Sequence, residues 1–162
     1  MAPLPYHTLF TPLGEIRVYV QGNIPALIAL PGSGRAGVPS ALPPPPEVRE
    51  ALQALEGYFR GREVPDSLAL KLLDSMRPSP FAAAVLGEVI RIPRGRTLSY
   101  GEVAARAGSP GAARAAGNIL ARNPFPIIIP CHRVIRGNGT PGGFRGGQNL
   151  KVRLLRAEGA LP

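Results

Sequence analysis

The chain has 162 residues, a formal net charge of +9 and a single cysteine. This length suits one moderate domain, or a small domain joined to a larger one, and it is sufficient to bury a core. One cysteine excludes an internal disulfide and any zinc site built from several cysteines. We expect a cytoplasmic protein without a membrane span, because no apolar run approaches about 18 residues and the N-terminus lacks the pattern of a signal peptide.

The positive charge is concentrated in the second part of the chain. Residues 1–90 contain 7 basic and 8 acidic side chains, whereas residues 91–162 contain 12 basic and 2 acidic ones. A genome that favours arginine codons would explain why all but one of those 12 cations is arginine, but it would not explain the scarcity of acids. A basic half beside a neutral half indicates a surface for a polyanion, and we expect nucleic acid rather than membrane.

The first 75 residues are predicted to form a small N-terminal domain with an antiparallel β-sheet and one helix. Strands are predicted at Tyr6–Phe10, Ile16–Val20 and Ile24–Leu30. Turn-forming Pro, Gly and Asn residues separate these runs. A small antiparallel meander is therefore expected.

Residues 31–46 are rich in Gly and Pro and are predicted to be a linker or long surface loop without regular structure. The apolar period that follows predicts a helix over Glu47–Arg60, which ends at Gly61. Leu68–Leu73 is interpreted as a further strand.

Residues 76–162 are predicted to form a mostly α-helical C-terminal domain. Helices are predicted at Phe81–Ile92, Tyr100–Ala107, Gly111–Arg122 and Leu150–Ala157. Ser79 and Ser99 are suited to cap the first two of these helices. The middle pair, joined by a short glycine-containing turn, is typical of a helix-turn-helix, although plain helical domains also contain such pairs.

The second helix of that pair carries almost no large side chains. Ala112, Ala113, Ala115, Ala116 and Gly117 surround Arg114. Small residues with one arginine suit close approach to a duplex groove, and they suit tight packing on another helix equally well.

The single cysteine, Cys131, lies between two β-branched apolar runs and is followed directly by His132. The run Ile127–Ile129 is expected to be a short buried segment that Pro130 ends. A lone thiol in such a place is either a small core residue or a positioned nucleophile. Because the thiolate is the reactive form, a nucleophile would need a base, for which His132 is adjacent. Glu158, one of only two acids after residue 91, could orient that base.

The segment Asn123–Ile135 resembles the active-site signature of the O6-alkylguanine-DNA alkyltransferases. The similarity extends from about Phe81 to Glu158 and includes Ser99-Tyr100, Ala112–Arg114 and the glycine-rich run 142–147. Residues 1–75 match this family only loosely.

The resemblance implies a role for each matching residue. Cys131, His132, Glu158, Tyr100 and Asn123 would be catalytic. Ala113, Arg114, Ala115, Gly117 and Arg133 would contact DNA, and Val134, Gly143, Phe144 and Arg145 would line the pocket for the base. Arg114 would replace the extruded nucleotide in the stack, which offsets part of the few kcal/mol that base flipping costs.

By the same resemblance, a monomer would bind double-stranded DNA through the minor groove and act on O6-alkylguanine, with O4-alkylthymine as a second lesion. Cys131 thiolate would attack the alkyl carbon after His132 accepts its proton through a water and Glu158 holds the imidazole. Tyr100 would protonate the leaving guanine, and Asn123 would brace the turn beneath the cysteine. The product is a thioether, which has no carbonyl for water to attack, so each molecule would act once without a cofactor or metal.

Three residues depart from the family pattern. Phe144 stands where tyrosine is frequent, Arg145 where small residues also occur, and Asn118 is bulkier than the residue common at that position. These changes bear on the size of alkyl group accepted. Three other functions compete with alkyl transfer: a binder that only flags damaged DNA, a cysteine hydrolase, and a helix-turn-helix regulator.

Overall fold

The computed structural model describes residues 2–162 and has an α+β architecture, as expected. The strands are β1 Leu4–Thr11, β2 Gly14–Gln21, β3 Ile24–Ala29, β4 Gly37–Pro39, β5 Leu98–Ser99 and β6 Val134–Ile135. The helices are α1 Pro46–Phe59, α2 Asp66–Ser75, α3 Pro80–Ile90, α4 Tyr100–Arg106, α5 Ala113–Ala121 and α6 Gln148–Ala157, with a 3-10 turn at Cys131–Arg133. Over residues 2–162, none of the helices has the length and apolarity needed to cross a bilayer.

The N-terminal sheet has the strand order β3-β2-β1-β4. The first three strands form the expected antiparallel meander, with Tyr6 opposite Tyr19. Residues 31–46 were expected to lack regular structure, but β4 pairs with β1 in parallel. Gly37 makes this possible, because a Cβ there would collide with the ring of Tyr19, and the Tyr19 hydroxyl donates to the carbonyl of Arg35 at 2.6 Å. The glycine content of the segment thus permits a close strand contact.

The prediction of a strand at Leu68–Leu73 is wrong, since these residues belong to helix α2. The buried side chains are Leu68, Ala69, Leu72 and Leu73. Pairs of buried residues four positions apart lie on one face of a helix, whereas a strand would bury alternate residues. Leucine also has high helix propensity. Because the apolar run is short and almost continuous, the four-residue spacing of the buried side chains was not visible in the sequence.

The other helices form where they were predicted, with boundaries that differ by a few residues. Ser99 caps α4 through a capping box: Glu102 N donates to Ser99 Oγ at 3.1 Å, and Ser99 N donates to Glu102 Oε2 at 2.7 Å. Helix α5 begins two residues later than expected because Gly111 has a φ of 86°, which is outside the helical region. Ser79 caps α3 as predicted.

One buried apolar cluster runs through both parts of the chain. It includes Ile16 and Val18 of the sheet, Leu55 of α1, Val85 of α3 and Leu154 of α6. The backbone N–H of Ile28 also donates to the carbonyl of Pro124 at 2.8 Å. The two parts therefore share a core, and the expected domain boundary near residue 75 stays a prediction.

Candidate active site

Cys131 follows a turn that contains the apolar run Ile127–Ile129. The side chains of this run are buried, as the sequence predicted. The turn is sharp: Ile127 has a φ of 73°, a left-handed conformation that is rare and unfavourable for a β-branched residue. Cys131 N donates to the carbonyl of Ile129 at 2.8 Å, and the 3-10 turn that carries Cys131 and His132 follows, with Arg133 N donating to the carbonyl of Pro130 at 3.0 Å. Surrounding contacts must hold this backbone in place.

Asn123 supplies two of those contacts from inside the turn. Its Nδ2 donates to the carbonyl of Ile129 at 2.9 Å, and its Oδ1 accepts from Phe125 N at 3.0 Å. The side chain is buried, so it satisfies backbone groups that water cannot reach. This geometry fits the bracing role that the resemblance implied.

The thiol of Cys131 is buried, and this burial raises its pKa above the ordinary value. The amide of Asn123 and the charges of Lys151 and Arg145 act in the opposite direction. Burial dominates because a thiolate is poorly solvated in an apolar site. The sulfur will therefore react only if a neighbouring group removes its proton.

His132 can serve as that base. Its Nε2 lies 2.6 Å from Glu158 Oε1, with both side chains fully buried. Burial lowers the pKa of His132, although Glu158 opposes this effect, and hydrogen bonds and charges of His132 and Arg133 hold the pKa of Glu158 well below its usual range despite burial. A neutral imidazole beside an ionised carboxylate carries its proton on Nε2. Nδ1 is then a free acceptor, and within residues 2–162 it has no hydrogen-bond partner.

Arg133 does not lie where the sequence placed it. Its Nε and NH2 donate to Glu158 at 3.0 and 3.1 Å, and NH1 donates to the carbonyl of Ile92 at 2.6 Å. Its side chain is only 5% exposed. The expectation that Arg133 contacts DNA is therefore corrected: the guanidinium is a buried counter-ion for Glu158, and its fork geometry matches the carboxylate.

Two further polar side chains reach the site, and sequence reasoning missed both. The hydroxyl of Tyr58 on α1 donates to Glu158 Oε1 at 2.8 Å. Lys151 on α6 is fully buried and donates from Nζ to the carbonyls of Val134 at 2.6 Å and Gly143 at 3.3 Å and to Tyr100 Oη at 3.4 Å. Burial lowers the pKa of Lys151 to about 8. One signal was available for Lys151, the only lysine among the cations after residue 91; Tyr58 showed no sequence signal beyond its place on the apolar face of a helix.

A cleft of about 870 Å³ opens beside Cys131. Nine of the predicted site residues line it, namely Tyr100, Ala113, Arg114, Gly117, Asn123, Cys131, Gly143, Phe144 and Arg145. Arg136 and Asn118 also contribute, and in the described part of the chain the lining residues include no acid. His132, Glu158 and Ala115 lie outside the lining, and the side chain of Val134 is buried while its carbonyl accepts from Lys151. The cleft is therefore a cationic space that ends at a thiol.

Tyr100 in the wall of this cleft has room for its hydroxyl because residue 142 is a glycine. Gly142 has a φ of 78°, and a Cβ there would lie 2.9 Å from Tyr100 Oη. Partial burial and the proximity of Cys131 raise the pKa of Tyr100, while Arg136 lowers it. Tyr100 therefore stays protonated near neutral pH and can donate a proton or hydrogen bond toward the cleft.

Known proteins resemble this chain in sequence. Residues 80–160 match the family model described as 6-O-methylguanine DNA methyltransferase, DNA binding domain. The chain is 43% identical to the methylated-DNA–protein-cysteine methyltransferase of Methanothermobacter thermautotrophicus over 93% of this chain and 83% of that protein. It is 34% identical to the mouse protein of the same name, over 95% of this chain and 81% of the mouse chain.

Solved structures show the same overall arrangement. The Mycobacterium tuberculosis OGT in complex with DNA superposes with a TM-score of 0.74 at 30% identity, over 97% of this chain and 94% of that one. The O6-methylguanine-DNA methyltransferase of Pyrococcus kodakaraensis has a TM-score of 0.70 at 22% identity, over 96% of this chain and 99% of that one. The fold is thus shared along nearly the whole chain, including the N-terminal part.

Proposed function

The chain belongs to the methylated-DNA–protein-cysteine methyltransferase family, and on that premise we propose that it repairs DNA by transferring an alkyl group from guanine O6 to Cys131. One observation supports this assignment most directly. The only thiol lines a cleft, and the next residue, His132, forms a buried pair with Glu158 and has its other imidazole nitrogen free to accept a proton.

The first step is removal of the thiol proton. His132 Nδ1 accepts it through a water molecule, and Glu158 stabilises the imidazolium that forms. The pair must act as a unit, because burial disfavours both the thiolate and the imidazolium when each is considered alone. Charge separation is eased by Lys151 and Arg145, which lower the pKa of the thiol.

The second step forms the S–C bond as the C–O6 bond breaks in line. The electron pair of the C–O6 bond passes to guanine, and the Tyr100 hydroxyl delivers a proton to the base. The buried ammonium of Lys151, 3.4 Å from that hydroxyl, favours its loss of a proton. The sulfur ends as a thioether and is not regenerated, so each molecule repairs one lesion.

For DNA binding, we propose that α4 and α5 act as a helix-turn-helix. Helix α5 presents Ala113, Ala115 and Gly117 beside the exposed Arg114, and such a surface allows a backbone to approach the minor groove. Ala113, Arg114 and Gly117 also line the cleft. Arg114 is thus placed to fill the gap in the stack while the lesion enters the pocket.

The pocket for the base is proposed to lie between Tyr100 and the loop that carries Gly143, Phe144 and Arg145. Arg145 projects from this loop and donates to the carbonyl of Ala121 at 3.3 Å, which narrows the entrance. O4-alkylthymine, which presents a similar alkyl ether, is a second proposed lesion. We further expect a cytoplasmic monomer that needs no cofactor.

The function is tested by mass. The protein is mixed with a duplex that contains O6-methylguanine, and the tryptic peptide that holds Cys131 is weighed. We expect this peptide to gain one CH2 unit, with at most one methyl group transferred per protein molecule. Cys131→Ala should show no gain.

The other functions give different outcomes in the same experiment. Repeated turnover without a stable mass change would indicate a hydrolase, whereas tight binding without a mass change would indicate a damage binder. Either result would contradict alkyl transfer. A duplex with unmodified guanine is the substrate control.

Arg114→Ala is expected to slow repair of duplex DNA about tenfold and to leave reaction with free O6-benzylguanine nearly unchanged. The reason is that Arg114 offsets part of the cost of base flipping, which a free base does not incur. Single-turnover rates on both substrates measure the effect. Arg106→Ala removes the same charge from α4 outside the cleft and should change the two rates much less; an equal loss on both substrates for Arg114→Ala would contradict the flipping role.

A further inference from the structure

We propose that Tyr58, on the first helix of the chain, is a positioning residue for the proton relay of Cys131, His132 and Glu158. It holds the Glu158 carboxylate in the orientation that keeps the proton of His132 on Nε2 and leaves Nδ1 free to accept a proton. This inference rests on the proposed function. It assigns to the N-terminal part of the chain a direct share in the chemistry.

The contact itself is close and buried. The Tyr58 hydroxyl donates to Glu158 Oε1 at 2.8 Å and lies 3.5 Å from His132 Nε2. Tyr58 is 1% exposed. Burial raises the pKa of Tyr58 far above its ordinary value, and the charge of Glu158 adds to this effect, so the hydroxyl keeps its proton and acts as a donor.

Glu158 Oε1 receives three donors: His132 Nε2, Arg133 NH2 and the Tyr58 hydroxyl. Oε2 receives Arg133 Nε at 3.0 Å and the backbone N–H of Gly95 at 3.4 Å. Within the described chain, every donor except Tyr58 comes from a residue after position 80. Tyr58 is therefore the one group through which the N-terminal part contacts the relay by a hydrogen bond to Glu158.

Contacts on several sides of the Tyr58 ring hold it in the position from which its hydroxyl donates to Glu158. The Arg94 guanidinium lies over the ring at 4.7 Å from the centroid, and Arg94 NH1 also donates to the backbone carbonyl of Tyr58 at 3.3 Å. Phe59 packs edge-on at 5.1 Å, and the His132 ring packs edge-on at 6.1 Å. A ring enclosed in this way loses little entropy when its hydroxyl forms a bond.

The consequence for catalysis concerns the basicity of the imidazole. A donor on Oε1 spreads the negative charge of Glu158, so the carboxylate pulls less strongly on the Nε2 proton and stabilises the imidazolium less. The other charged groups that face this pair are Arg133, Lys151 and Arg94, with Glu63 at 3.7 Å from Arg133. Removing the Tyr58 hydroxyl leaves all of them in place. The pKa of His132 should then rise.

The test is Tyr58→Phe, with Tyr19→Phe as the matched control. Tyr19 is also buried in the N-terminal part, and its hydroxyl also donates one hydrogen bond, to the carbonyl of Arg35 at 2.6 Å. Both variants lose a buried hydroxyl bond, but only Tyr58 contacts the relay. Single-turnover rates are measured with free O6-benzylguanine between pH 5 and 9, so that DNA binding does not enter.

We expect Tyr58→Phe to move the acid limb of the pH–rate profile upward by about half a unit to one unit. On the acid limb, below the pKa of His132, this shift corresponds to a rate about three- to tenfold lower, and the loss should shrink as the pH rises. The same fold-loss is expected on methylated duplex. Tyr19→Phe should keep the wild-type profile, and a Tyr58→Phe profile that matches it would overturn the proposal.

A second readout does not depend on alkyl transfer. The chain has two histidines, His7 and His132, so a His7→Asn background leaves one imidazole to follow by nitrogen NMR. We expect Nδ1 to be unprotonated and Nε2 protonated at neutral pH, and we expect Tyr58→Phe to raise the pKa of His132. An unchanged titration would overturn the proposal even in an active protein. If the wild-type protein formed no thioether, that result would contradict the proposed function alone, because the NMR titration would still test the role of Tyr58.

Discussion

Glu158→Gln is expected to lower the free energy of unfolding by about 3 kcal/mol, because breaking a buried ion pair strands the partner charge. The substitution removes the carboxylate that the buried Arg133 guanidinium contacts at 3.0 and 3.1 Å, and it leaves the largely exposed Glu63, 3.7 Å away, and the carbonyl of Ile92 as the remaining partners of Arg133. It also replaces the carboxylate that accepts from His132 Nε2 with a neutral amide. Urea unfolding at pH 7 measures the stability change.

The same variant should slow alkyl transfer by at least about 100-fold, since the imidazolium loses its counter-charge and the tautomer of His132 is no longer fixed. Glu88→Gln is the matched control, because Glu88 pairs with the largely exposed Arg91 on the surface of α3. That substitution should change stability by less than about 0.5 kcal/mol and leave the rate unchanged. A Glu158→Gln variant as stable as the Glu88→Gln variant would contradict the buried-pair argument.

The stability difference at Glu158 should depend on pH with a definite sign. The pKa of Glu158 is lowered in the folded state from an ordinary value of 4.5. Its contribution is therefore fully present above about pH 4.5 and is lost as the pH falls toward the folded pKa. Wild type and Glu158→Gln should differ by a constant amount between pH 6 and 8, and the difference should narrow below pH 4.5.

Asn123→Ala is expected to reduce the free energy of unfolding by about 1 to 3 kcal/mol, since it leaves the buried N–H of Phe125 without a partner. The carbonyl of Ile129 loses one of its two donors and keeps the N–H of Cys131. The left-handed backbone at Ile127 would lose part of the frame that maintains it. Because Cys131 stands at the end of this turn, its sulfur should be misplaced, and the alkyl transfer rate should fall at least about tenfold.

Asn123→Asp separates the two roles of the side chain. It keeps an acceptor for Phe125 N but loses the donor to Ile129 and adds a negative charge near the thiol, which should raise the pKa of Cys131 further. Transfer should be slow at neutral pH and recover partly as the pH rises, whereas Asn123→Ala should show no such recovery. Asn138→Ala, which removes an exposed turn-capping side chain that binds Thr140, is the control and should affect neither property by more than a small amount. Equal behaviour of all three variants would contradict the bracing role.

Local patterns predicted the helices and the nucleophile well, because each depends on residues close in sequence. The spacing of apolar residues and the Ser99 cap define α4 without help from the rest of the chain. Cys131 and His132 are neighbours, and Asn123 acts within its own turn. The strand interpretation of residues 68–73 failed because a six-residue apolar run does not distinguish a helix from a strand.

Contacts between distant residues could not be predicted in the same way. Tyr58 and Glu158 are separated by 100 positions, and nothing in either neighbourhood indicates that they meet. Arg133 looked like one more member of a basic surface, since composition shows charge but not burial. Its guanidinium turns inward because the scarce acid of this region, Glu158, lies inside. Only the packing of α6 against the 3-10 turn decides this orientation.

The burial of Cys131 bears on how many lesions a cell can repair. The thiol is 7% exposed, and burial raises its pKa. Removing a methyl group from the sulfur would have to release Cys131 as a thiolate, which is poorly solvated in this site. The number of lesions that a cell can repair is then set by how many copies of this protein it has made, and restoring that capacity after damage requires one newly synthesised copy for every lesion removed.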